Sequence, residues 1–180
     1  AVTPATVASD IGPGLAKAAM AARVDGQDWD LARAIETDCA LELITARDSA
    51  AALELVRHDC AHIMAEAVLE LYPGTQVTIG PAIENGFYYD VLFEKPISID
   101  DFPAIEKELK NIIKKGSRIE KSYKDKNQVI ELFDSKQEIY KVKIINESEQ
   151  EKDFQIYEQK GSNFFDLCKG PHLPSLKFIG

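Results

Sequence analysis

The sequence predicts an α+β protein: a short helix-and-strand segment, then a larger two-layer domain of helices on a mostly antiparallel sheet. Three observations predict it. Residues 50–71 carry apolar side chains at helical spacing over roughly six turns. The β-prone runs 76–79, 86–91, 154–159 and 163–167 are short and bounded by Gly- and Pro-containing turns. The first 45 residues read as a helix followed by three short strands.

Thr3-Pro4 opens the first helix, with Thr3 as N-cap and Pro4 at the first helical position. Ile11-Gly12-Pro13-Gly14 breaks it, and Leu15 to Met20 give a second brief helical turn. Ala22-Arg23-Val24 is extended, Asp25-Gly26 is a hairpin signal, and Gln27 to Leu31 returns. Leu41 to Thr45 is a further strand. The segment resembles the later part of a small mixed sheet lacking its first hairpin. Asp48-Ser49 caps the long helix. On a helical wheel Leu53, Val56, Cys60, Ile63, Met64, Ala67 and Leu71 form the core stripe, while Asp59, Glu66 and Glu70 form a charged flank. His58 and His62 lie opposite the stripe with Leu55, Ala65 and Leu69, as the wall of a pocket would.

Tyr72-Pro73-Gly74 ends that helix, Gln76 to Ile79 is a strand, Gly80-Pro81 turns, and Gly86 to Val91 is a strand. Ser98 caps a helix to Lys115, with Ile105, Leu109, Ile112 and Ile113 as its stripe. Arg118 to Tyr123 reads as a strand, Asp125 to Phe133 as a helix, and Ile139 to Ile145 alternates as a strand. Residues 146–153 form an acidic loop. Phe154 to Gln159 and Asn163 to Leu167 pair as a hairpin across Lys160-Gly161-Ser162.

A chain of 180 residues with 45% apolar side chains can bury a core. Its net charge of −9 argues against generic, charge-driven binding of nucleic acid. A local exception runs from Pro103 to Lys126, where eight basic residues face four acidic ones. That stretch reads as a phosphate-facing side or as an ordinary solvated face. No apolar run is long enough to span a bilayer and no signal peptide is visible. Three cysteines suggest no disulfide framework and fit a reducing, cytoplasmic setting.

Chemistry concentrates in two clusters. His58 and His62 lie four apart, so both imidazoles leave one helix face. Cys168 and His172 repeat that spacing around Gly170-Pro171, a rigid turn, and the two clusters hold all three histidines of the chain. These are the residue types of a tetrahedral zinc site, and equally of a polar site without metal. Cys60 falls on the core stripe and reads as packing; Cys39 reads as structural.

His58-Asp59-Cys60-Ala61-His62, Ile79-Gly80-Pro81, Asn85-Gly86-Phe87-Tyr88-Tyr89-Asp90, Tyr140-Lys141-Val142 and Asp166-Leu167-Cys168-Lys169-Gly170-Pro171-His172 resemble the N-terminal region of the bacterial threonyl-tRNA synthetases. Ile11-Gly12-Pro13-Gly14-Leu15-Ala16-Lys17-Ala18 resembles the small module that precedes their editing domain. The resemblance implies a partial β-grasp (ubiquitin-like, TGS-like) module over 1–47 and an editing domain of the threonyl/alanyl type over 48–180. The alanyl relatives share the histidine pairs but normally carry Thr where Pro171 stands.

The activity implied is hydrolysis of serine mis-attached to threonine tRNA. By resemblance His58 and Lys141 position or activate water and polarise the ester, with His62, Cys168 and His172 completing the catalytic set. Tyr89, Asp166 and Gly80 line the substrate pocket, and the charge of Asp166 suits an α-ammonium. Cys168 as a covalent nucleophile stays open beside a water route. No metal is assigned and editing needs no cofactor. ATP, Mg and Zn belong to a synthetic core that this chain lacks, as does any homodimer made through that core. Partners implied are the mischarged threonine tRNA and the remaining synthetase domains; the setting is cytoplasmic. The alternatives are a non-catalytic tRNA-binding or regulatory module and a free-standing trans-editing factor.

Overall fold

The computed structural model describes residues 1–179. Helix α1 (Pro4–Ile11) starts where expected, Thr3 and Thr6 forming a capping box. Helix α2 (Pro13–Ala18) follows, and β1 (Ala19–Val24), β2 (Gln27–Trp29) and β3 (Leu41–Thr45) form a sheet in the order β2-β1-β3. That sheet is antiparallel throughout rather than mixed. Asp25 and Gly26 both take positive φ, 50° and 81°, as the tight turn between β1 and β2 requires. Ala8, Ala19, Ala22 and Leu31 close α1 onto one face. Met20, Ala21 and Ile44 on the other face join the main core with Ala52, Leu55 and Ile63 of helix α3 (Ser49–Leu71).

Helix α3 is enclosed on more sides than an amphipathic wheel allows. Leu53 and Leu71, placed on the core stripe by the wheel, are 47% and 36% exposed, whereas Asp59 and Glu66 of the supposed charged flank are 1% and 2% exposed. Leu55 and Ala65 of the supposed pocket face are also buried. The cause is tertiary, for α3 packs against β3, helix α4 (Phe102–Lys115), β5 (Ala82–Ile83) and β6 (Gly86–Phe87). Asp48 precedes the helix but does not cap it. Its carboxylate accepts from the Thr45 N–H at 2.8 Å and hydroxyl at 3.2 Å, tying the helix start to the end of β3.

The run 76–92 forms two nested ribbons, not two continuous strands. β4 (Gln76–Val77) pairs with β7 (Val91–Leu92), and β5 pairs with β6. Tyr88 to Asp90 leave the strands between β6 and β7, which frees Tyr89 to turn inward. Ser98 caps a 3-10 turn over Ile99–Asp101, and α4 ends at Gly116 in the left-handed region, φ 62°. β8 (Ile119–Lys124), β9 (Phe154–Gln159) and β10 (Phe165–Leu167) form an antiparallel sheet in the order β10-β9-β8. Helix α5 (Lys126–Asp134) packs on it through Val129 and Phe133.

One expected element changes type. Residues 139–145 form the body of helix α6 (Ile139–Glu147), not a strand. Their alternation is real but not decisive. The buried positions are Lys141 and Ile145, one helical turn apart, while Ile139 is 60% exposed. Ile145 seals against Phe133, Phe154 and Ile156.

Candidate functional site

The two clusters meet. Helix α3 brings His58 and His62 to one end of the β9-β10 hairpin, and the turn after β10 carries Cys168 and His172 back onto them. His58 Nε2 lies 3.2 Å from His62 Nε2 and 3.0 Å from Cys168 Sγ. One donor atom from each of His58, His62, Cys168 and His172 falls within 4.8 Å of all the others.

Each member is held from behind. His172 Nδ1 and Asp59 Oδ1 are 2.8 Å apart, and Asp59 Oδ2 accepts from the Leu173 N–H at 3.0 Å. This leaves His172 Nε2 buried, facing the cluster without a hydrogen-bond partner. Burial alone would lower the His172 pKa, but the Asp59 carboxylate outweighs it and raises it to about 10. Burial would raise the Cys168 thiol, but the neighbouring imidazoles of His172, His58 and His62 outweigh that and pull it down to about 3. Both shifts favour a thiolate at Cys168 and an imidazolium at His172.

Lys141 stands at the edge of this cluster with a 2% exposed side chain. Its Nζ donates to Asp166 Oδ1 and lies 3.2 Å from Glu138 Oε2. Burial disfavours its charge, but the two carboxylates outweigh burial and raise its pKa, so the ammonium persists at neutral pH. Burial works against the Asp166 anion too, and Lys141 and His62 overcome it. Glu138, with only a share of Lys141, is raised by its burial.

Asp166 has no spare acceptor for an α-ammonium, contrary to the role its charge suggested. Besides Lys141 it accepts from Tyr89 Oη at 2.6 Å and the Leu167 N–H at 2.8 Å, with His62 Nδ1 3.3 Å away. It is a hub that orients Lys141, Tyr89 and His62. Gly80 packs face-on against Tyr89, where a Cβ would fall 2.0 Å from the ring. Gly80 thus shapes the site by making room for Tyr89.

A cavity of about 420 Å³ opens beside this network, lined by Ile79, Lys141, Ile144, Phe154, Leu167 and Cys168 among others. Its size and apolar lining with a few convergent polar groups suit a small organic ligand. His58 lies behind Cys168 and lines a separate cleft of about 70 Å³. Asp59 and Asp30 have no signal in the sequence, because their partners lie far along the chain; Glu138 pairs with Lys141 three residues on, a spacing that becomes a contact only in a helix. The basic stretch is divided: Lys121 is spent on Asp30 at 2.6 Å and Lys126 on Glu151 at 3.1 Å, while Lys107, Lys110 and Lys114 stay exposed on α4.

The donors at His58, His62, Cys168 and His172 also suit zinc. Their types match a tetrahedral N/S site, and the carboxylates behind His172 and His62 are the usual outer partners of zinc-bound imidazoles. The orphaned His172 Nε2 points the same way.

No helix among the described residues is long and apolar enough to cross a membrane. Residues 1–45 match the TGS domain family. Along nearly its full length the chain is similar to threonine–tRNA ligases. It is 48% identical over 179 residues to that of Granulibacter bethesdensis and 49% over 179 residues to that of Rhodospirillum rubrum, covering 99% of this chain in each case. It is 50% identical over 175 residues to that of Thiobacillus denitrificans, covering 97% of this chain. The chain spans 27% of the length of each of these relatives. With the TGS match at its start and close to half its residues shared throughout, the chain is similar to the N-terminal region of bacterial threonine–tRNA ligases.

Proposed function

We propose that this chain is the proofreading part of a threonine–tRNA ligase and hydrolyses serine from threonine tRNA. The observation that carries this is the Lys141 ammonium, buried between Asp166 and Glu138 at the wall of the cavity beside Cys168. Hydrolysis of an aminoacyl ester develops negative charge on the carbonyl oxygen, and a fixed cation in a site largely shielded from water stabilises it strongly. Lys141 supplies that cation and cannot act as a base while both carboxylates hold its proton. His58 is the group for water: its Nε2 lies 3.0 Å from Cys168 Sγ, which lines the cavity. Tyr89 and His62 act from behind the cavity wall by holding Asp166, and through it Lys141, while the leaving ribose oxygen takes its proton from the donors of that wall.

The chemistry explains the need. Serine is threonine without a methyl, and one methyl is worth only about 1–3 kcal/mol in a binding site. A second pocket that excludes threonine's methyl removes the error after attachment. ATP, Mg and Zn serve the ligase reaction of the whole enzyme; the hydrolysis proposed here uses side chains alone. Threonine tRNA, the rest of the ligase and a cytoplasmic setting complete the reading. The test is to mix the chain with seryl-tRNA of threonine specificity and follow deacylation, with threonyl-tRNA as control. Selective release of serine supports it; equal rates for both, or none, overturn hydrolysis by this chain.

A second reading is a zinc ion on His58, His62, Cys168 and His172, favoured by four donors within 4.8 Å of one another. Bound there, zinc would supply Lewis-acid polarisation of the ester. One equivalent of zinc in chelator-free protein would establish it, and its absence would leave the water route.

A further inference from the structure

Part of the site comes from the segment before α3. Asp30 follows β2 and is 9% exposed. Its Oδ1 accepts from the backbone N–H of His172, 142 positions away, at 3.0 Å. Its Oδ2 accepts from the Tyr157 hydroxyl at 2.8 Å and from Lys121 Nζ at 2.6 Å. A buried carboxylate with three donors on three separate elements is fully satisfied and holds those elements at fixed separations.

Tyr157 carries the effect onward. Its ring packs on the His172 imidazole, centroids 4.2 Å apart and planes inclined by 50°. Its hydroxyl lies 2.0 Å from where a Cβ on residue 170 would stand, so the turn passes over it only as Gly170, whose φ is 68°. Asp59 grips the same residue from the opposite side through Nδ1. His172 is thus held by its ring from α3 and by its backbone from the N-terminal segment. That segment is not loosely tethered, since Met20, Ala21 and Ile44 share one core with Leu173 and Leu176 just beyond the turn.

We propose that Asp30 is a positioning residue of the hydrolytic site: through the His172 N–H and the Tyr157 hydroxyl it fixes the 170–172 turn, so the TGS-matched segment is a working part of the site. This rests on the hydrolase reading above for its catalytic consequence, but the anchoring can be read independently.

The experiment compares Asp30→Ala and Asp30→Asn with the parent chain, by amide hydrogen exchange at His172 and Leu173 and by turnover on seryl-tRNA. Leu173, held by Asp59, serves as the internal reference. For Asp30→Ala the expected result is exchange at His172 at least tenfold faster, little change at Leu173, and a kcat at least tenfold lower with KM within twofold. Asparagine keeps an acceptor for the His172 N–H but turns an amide N–H toward Tyr157 and Lys121, so Asp30→Asn restores most of the His172 protection and part of the turnover. The proposal is overturned if Asp30→Ala leaves His172 exchange unchanged. It is equally overturned if Asp30→Asn keeps His172 protected yet loses turnover as fully as alanine. If the parent chain deacylates nothing, the hydrolase reading fails, and the exchange data alone decide whether Asp30 anchors His172.

Discussion

His58 Nε2 and Cys168 Sγ lie 3.0 Å apart although 110 positions separate them in the chain. The contact joins the two spaced pairs into one site and ties a helix to the turn after a hairpin. It also decides what Cys168 can do. The imidazoles around it outweigh burial and pull the Cys168 thiol down to about 3, and a thiol of such low pKa is a weaker nucleophile once ionised.

Cys168→Ala tests this. With water as the nucleophile, removal of the sulfur loosens His58 and His172 without removing the attacking group. Turnover on seryl-tRNA is expected to fall roughly tenfold to a hundredfold, the scale of a misplaced reacting group. Rapid quench and intact-mass measurement of the parent should find no seryl thioester. An adduct on Cys168, together with an inert alanine variant, would establish the covalent route instead.

Lys141 holds two buried carboxylates, so its loss reaches beyond chemistry. Lys141→Met leaves Asp166 and Glu138 facing each other without a cation, which costs about 3–5 kcal/mol when one member of a buried charge set is removed. Urea unfolding should show that loss, and adding Glu138→Gln should recover part of it, since the two sites share one network. Deacylation should fall about a hundredfold or more in both variants. Recovery of activity along with stability in the double variant would remove Lys141 from the chemistry.

These two residues also mark how far the sequence could be read. The four-residue spacing of His58–His62 and of Cys168–His172 is visible because it is local, and the residue types announce their chemistry. Lys141 stands out by its motif, yet its segment reads as a strand because Ile139 to Ile145 alternates as well as it turns. What settles the matter is the burial of Lys141 and Ile145 on one face, and a lone lysine gives no hint of burial. Asp59 and Glu66 read as a solvated flank for the same reason. The Leu173 N–H and the His172 ring that satisfy Asp59 arrive from far along the chain, which a helical wheel cannot contain. Asp30, between a tryptophan and a leucine, carries no local signal at all.

Gly80 gives a steric test of the pocket wall. Its φ is not in the left-handed region, so the backbone accepts alanine, but the added Cβ would sit 2.0 Å from Tyr89 Cδ2. Tyr89 must then move, and its hydroxyl loses its 2.6 Å bond to Asp166. Gly80→Ala is expected to cost about 1–3 kcal/mol of stability, the usual price of overpacking. Turnover should drop roughly tenfold or more through the disturbed Asp166–Lys141 pair. Tyr89→Phe, which keeps the ring and removes only the hydroxyl bond, separates the two effects. If Tyr89→Phe is fully active while Gly80→Ala is not, the ring position matters and the bond to Asp166 does not.

Glu66 sets a pH dependence that the site does not share. It is 2% exposed and both carboxylate oxygens lack a hydrogen-bond partner, so burial, reinforced by Glu70, pushes its pKa up to about 7. In the unfolded chain it titrates near the ordinary value of 4.5. Between these values the folded state binds a proton that the unfolded state has lost. The contribution to stability is therefore whole below pH 4.5 and declines as pH rises through about 7. Glu66→Gln keeps the shape and removes the titration. It is expected to leave stability little changed near pH 4 and to exceed the parent by about 1–3 kcal/mol at pH 8. Urea unfolding at the two pH values measures this. An equal difference at both would show that Glu66 titrates alike in the folded and unfolded chain, so that burial does not hold its proton.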